Sequence, residues 1–77
     1  MKPRFIESYI EPPLINGRPL TNHTVNLSNC NYIVKQEESQ PRRLFTINFV
    51  PTGVRWFYDF EGDRDRDYNR IMKKYGK

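Results

Sequence analysis

Apolar and polar positions divide this chain near residue 22. From Arg43 to Phe60 they alternate with a period of two. In "RLFTINFV" Phe45, Ile47 and Phe49 fall on one side, Thr46 and Asn48 on the other. In "VRWFYDF" Val54, Trp56, Tyr58 and Phe60 oppose Arg55, Phe57 and Asp59. "PTG" joins the two runs, and Gly53 supplies the positive φ that a tight connection demands. Upstream, "SNCNYIVKQ" predicts a first strand that ends at the polar turn "EESQPR". Downstream the period changes. Tyr68, Ile71, Met72 and Tyr75 recur at i, i+3, i+4 and i+7, the stripe of an amphipathic helix.

Charge reinforces the helix. Asp63, Asp65 and Asp67 occupy its first turns, and Arg70, Lys73, Lys74 and Lys77 its last, which complements the helix dipole. Gly62 or Asp63 is the expected N-cap, Gly76 the stop, and Asp67 with Arg70 an expected i,i+3 ion pair.

The first 22 residues read differently. They hold four of the six prolines, including Pro12-Pro13, and the turn-like Asn16-Gly17. Proline fixes φ and biases its predecessor toward extended geometry, so no helix is expected there. Yet Phe5, Ile6, Tyr9, Ile10, Leu14, Ile15 and Leu20 make the stretch too apolar for an indifferent tail. It reads as an extended arm, residues 1–22, ahead of a single domain at 23–77. Such an arm packs either on its own sheet or on a neighbour, and 20 extended residues reach roughly 65 Å. The fold class is therefore α+β: a three-stranded antiparallel meander, four-stranded if the arm pairs, with a C-terminal helix on one face.

Length and composition then narrow the function. The chain has 77 residues, enough for one thin core. One Cys and one His can build neither an intrachain disulfide nor a structural zinc site, and a lone thiol suits the reducing cytoplasm. No run approaches the ~20 apolar residues of a membrane span, and no cofactor motif is present. Net charge is +4, a mild bias that suits nucleic acid or an acidic protein surface.

Two candidate chemistries fail on spacing. Asp63-x-Asp65-x-Asp67 imitates the start of a calcium loop, but Tyr68 and Lys74 stand where such a loop needs Gly and Glu. His23 and Cys30 lack the third group and the oxyanion site that a nucleophilic pair requires. The chain reads as a non-enzyme, with no metal and no cofactor.

Binding remains. The residues expected to meet a partner are Phe5, Tyr9, Ile10 and Leu14 in the arm and Arg42, Arg43, Arg55, Phe57, Lys73 and Lys74 elsewhere. The first expectation is a larger protein partner, with self-association through the arm or a strand edge. The alternative is single-stranded nucleic acid, with Phe57 stacking a base and Arg or Lys tracking the backbone. In general layout, over residues 29–76, the chain resembles small orphan proteins of bacteriophages and mobile elements. That resemblance implies an accessory or inhibitor that blocks a surface of a larger machine.

Overall fold

The computed structural model describes residues 4–40 and 42–75. The architecture is α+β, with antiparallel sheets and one C-terminal helix. Among the described residues seven strands occur in chain order: β1 (Phe5–Ile6), β2 (Leu14–Ile15), β3 (Arg18–Pro19), β4 (Val25–Asn26), β5 (Tyr32–Glu38), β6 (Leu44–Val50) and β7 (Val54–Tyr58). Helix α1 spans Glu61–Tyr75. The strands form three separate sheets: β1 with β4, β2 with β3, and the meander β5-β6-β7.

The meander follows the hydrophobic alternation. Phe45, Ile47 and Phe49 of β6 stand opposite Tyr58, Trp56 and Val54 of β7, and Phe49 also faces Ile33 of β5. Together with Ile71 of α1, these residues build the core; Trp56, Tyr58, Ile47 and Ile71 are fully buried. The Trp56 and Phe49 rings meet edge-on, 4.8 Å between centroids. The β6–β7 turn places Gly53 at φ +84°, in the region where a side chain is strained.

Several boundaries differ from the sequence pattern. Residues 28–30 are not strand: Leu27–Asn29 form a single 3-10 turn, capped by the Asn26 side chain, which accepts from the Ser28 N–H at 3.0 Å. That asparagine competes with the ladder for backbone partners. The first strand then runs two residues into the expected turn, ending at Glu38. Phe60 is not on the core face, because β7 ends at Tyr58 and the chain turns into α1 at Glu61. The Phe60 carbonyl accepts the Arg64 N–H at 3.1 Å, and its ring is left 68% exposed. The helix therefore begins ahead of Gly62 and Asp63. The expected stop at Gly76, and Lys77, lie outside the described residues.

Helix α1 presents Tyr68, Ile71 and Met72 to the core as its periodicity requires. It also buries two charges, Arg64 and Asp67. Residues 4–30 lie against the meander and the helix. Ile6, Val25 and Leu27 join the core, and Pro13 is fully buried. Asn16 (φ 53°) and Gly17 (φ 78°) close the two-residue turn between β2 and β3.

Candidate interaction surface

The N-terminal residues are held in place by single side chains. Asn22 acts as a substitute strand on the open edge of β7. Its amide oxygen accepts the Phe57 N–H at 2.9 Å, and its amide nitrogen donates to the Phe57 carbonyl at 3.1 Å. Trp56 donates its indole N–H to the His23 carbonyl at 2.6 Å. Ser8 donates to the buried carboxylate of Asp67 at 2.8 Å. Asp67, only 2% exposed, also accepts from the Tyr58 hydroxyl at 2.6 Å and twice from the Arg70 guanidinium, at 2.6 and 2.9 Å. Four donors satisfy this carboxylate, which is what a charge so deep in a small core requires. Burial, and then the hydrogen bond to Asp67, push the Tyr58 hydroxyl well above the ordinary tyrosine value. Arg70 closes the clamp by donating to the Glu7 carbonyl at 2.9 Å and lying 4.7 Å from the centre of the Tyr9 ring.

Beside this clamp lies an open groove of about 610 Å³. Its apolar lining comes from Ile10 and Pro12, from Leu14 and Pro19 of the β2–β3 hairpin, and from Phe60 at the head of α1. Glu11, Asp59 and Asp63 supply carboxylates, and Arg42 the one cation among the described residues of the lining. That cation is occupied. Arg42 holds Asp59 at 2.6 Å and donates to the Leu14 carbonyl at 2.9 Å, so it ties the hairpin to the end of β7. Leu14 is 58% exposed and Phe60 68%, an unusual investment of large apolar side chains at one end of a small protein.

Of the ten residues expected to meet a partner, the fold brings Ile10, Leu14 and Arg42 together in this groove. Tyr9, 77% exposed, sits on the adjoining clamp. The others lie elsewhere. Arg43 pairs with Glu37 at 3.2 Å. Arg55 reaches across β6 to Glu38 of β5 at 2.9 Å. Phe57 is half-buried, with its backbone bracketed by Asn22. The open sheet face also carries an Asn48–Gln36 hydrogen bond, so much of it is knitted by cross-strand polar pairs. Lys73 and Lys74 are exposed in the last turn of α1, and Phe5 is exposed on β1, opposite Asn26 of β4.

Phe60 is the groove residue that alternation misplaced. The signal was the acidic run from Glu61, which starts the helix one residue later and turns the ring outward. In the sequence Asp59 falls on the polar side of a strand and Asp63 at a helix start, and neither position points to Glu11; only the fold gathers the three.

His23 and Cys30 are placed for structure. The His23 carbonyl serves Trp56 while its side chain is exposed, and Cys30 is buried. Burial raises the Cys30 thiol above its ordinary value, the opposite of what activates a nucleophile. Among the described residues no group of three or more His, Cys, Asp or Glu is arranged to hold a metal ion. No helix among them is long and apolar enough to cross a membrane. Comparison with known protein families, curated proteins and solved structures gives no match.

Proposed function

We propose that this protein is a non-enzymatic binding module that acts by occupying the surface of a larger protein partner, as a cytoplasmic accessory or inhibitor protein of the phage type. One observation carries the reading. Leu14 and Phe60 stand exposed around a groove whose walls are pinned from behind by the Asp67 clamp and the Arg42–Asp59 pair. A preformed apolar groove loses little conformational freedom on binding, so its area is available for affinity. In this reading the proline-rich arm supplies contact through Tyr9, Ile10 and Leu14.

The ion pairs of Arg42, Arg43 and Arg55 favour this reading over single-stranded nucleic acid. Each guanidinium already faces a carboxylate, which reduces what it can offer a phosphate. Affinity capture from cell extract, comparing the wild type with a Leu14→Asp/Phe60→Asp variant, tests the proposal. A protein retained by the wild type and lost by a folded variant is the expected result. Equal retention by both, or salt-sensitive retention of single-stranded oligonucleotides instead, would overturn it.

A further inference from the structure

Carboxylates are compensated unevenly over this molecule. Glu37 and Glu38 on β5, Asp59 after β7, and Glu61, Asp65 and Asp67 on α1 each meet a guanidinium between 2.6 and 3.3 Å. Glu7 and Glu11 make no ion pair among the described residues. The pair of Asp63 is the longest among them, 3.7 Å to an Arg66 side chain that is three-quarters exposed, and an exposed contact of that length holds little. Two of these three weakly compensated carboxylates, Glu11 and Asp63, line the groove.

Asp59 and Arg42 neutralise each other there, so Glu11 and Asp63 leave the lining negative on a chain whose net charge is +4. Arg18, beside Pro19 on the β2–β3 hairpin, is not part of the lining. Salt screens charges beyond about 8–10 Å, so a segment in the groove responds to the groove's own charges before the chain's total. The nearby N-terminus of α1, whose dipole would favour an anion, already carries Glu61 and Asp63 in its first turn.

We propose that the groove takes a basic-apolar peptide segment of the partner: an apolar side chain against Leu14 and Phe60, with lysines or arginines beside it that meet Glu11 and Asp63. The inference rests on the groove being the protein-docking surface, and it names the chemistry that surface selects. The same residues select against other occupants. A purely apolar segment takes carboxylates out of water with no cation to meet them, which costs free energy. An acidic segment is repelled, because the one guanidinium in the described lining is held by Asp59 and the Leu14 carbonyl. With a basic-apolar segment the buried apolar contact supplies affinity. Glu11 is exposed and Asp63 half-buried, so their ion pairs lie toward the rim, where charge chiefly steers and selects.

Selection of a random short-peptide library on the full chain tests this. A Leu14→Ser/Phe60→Ser variant serves for counter-selection, since it removes apolar lining without changing charge; both positions are exposed, and circular dichroism checks the fold. Peptides retained by the wild type and lost by that variant are expected to combine an apolar residue with several Lys or Arg. Glu11→Lys/Asp63→Asn leaves Asp59 as the only carboxylate in the described lining. That variant is expected to bind a selected peptide at least about tenfold more weakly by fluorescence anisotropy, and to lose the basic preference in its own selection. Groove-dependent peptides without a basic bias, or with equal affinity for the charge variant, would overturn this inference and leave the docking groove standing. The absence of any groove-dependent peptide would also overturn it. The capture experiment then decides the docking reading separately: a protein lost by the Leu14→Asp/Phe60→Asp variant keeps the groove as a docking surface, and equal retention removes both.

Discussion

The meander and the N-terminal segment are both antiparallel β-structure, but they are held by different forces. The meander has strands of seven, seven and five residues whose alternate side chains fill one core. Its stability is spread over a continuous ladder and a buried apolar layer. Residues 4–26 contain only two-residue strands, too short to hold themselves. They are fastened at points: Asn22 on the β7 edge, His23 on Trp56, Ser8 and Glu7 on the Asp67–Arg70 clamp, Leu14 on Arg42. Losing one contact in the meander weakens everything; losing one fastening should free a local piece.

Trp56→Ala is the strongest way to test that contrast, because Trp56 belongs to both systems. It removes the largest buried side chain and the hydrogen bond to His23, with an expected global loss of about 3–5 kcal/mol; chemical denaturation measures it. Trp56→Phe should spare most of that and loosen mainly residues 20–25, seen as faster amide exchange there. Asp67→Ala comes next. It strands Arg70, Tyr58 and Ser8 at once, and about 3 kcal/mol is the expected cost. Here proteolysis between Glu7 and Pro12 should accelerate more than global unfolding; equal acceleration would mean the clamp is part of the core.

Asn22→Ala acts only on the seam. It leaves the Phe57 N–H and carbonyl unpaired on the β7 edge and should cost about 1–2 kcal/mol, concentrated in exchange of residues 20–25. The open edge also becomes available to pairing with other strands, so the variant should aggregate more readily.

Tyr58→Phe sharpens the comparison through pH. Burial, then Asp67, raise the Tyr58 hydroxyl in the folded protein, whereas in the unfolded chain it ionises near pH ~10. Below that value its contribution is fully present. As pH rises above it, the unfolded state loses a proton that the folded state keeps, and stability falls. The phenylalanine variant should therefore show a flatter alkaline limb in denaturant melts at rising pH, with about 1 kcal/mol lost at neutral pH. An unchanged limb would place the wild-type alkaline loss on other groups.

The smallest effect is expected at Thr46, fully buried on the far face of β6 with a hydroxyl that has no hydrogen-bond partner among the described residues. Thr46→Val should stabilise the protein by about 1 kcal/mol, since an unpaired buried hydroxyl is replaced by a methyl group.

How far the sequence reached depended on the range of each interaction. Strands β6 and β7, their turn and the helical stripe Tyr68–Ile71–Met72 were legible because alternation and 3.6-residue periodicity are local properties that one burial direction imposes. The Asp67–Arg70 pair was legible for the same reason: three residues apart on a helix are neighbours. That Asp67 is buried was not legible, because its other partners, Ser8 and Tyr58, lie 59 and 9 residues away. The basic positions Arg42, Arg43 and Arg55 read as a binding strip, and their acidic partners were invisible until strand register set them side by side.

The sequence by itself determined the kind of protein this is: a short α+β chain with a hairpin, a terminal helix and an apolar proline-rich segment that cannot be helical. Those features follow from φ restriction, periodicity and the dipole, which act over a few residues. Tertiary structure alone decided where the groove is, because its walls come from residues 10–19, 42 and 59–63. Only when β7 ends at Tyr58 and the β2–β3 hairpin folds back to Arg42 do Leu14 and Phe60 face one space, and no local pattern records such a meeting.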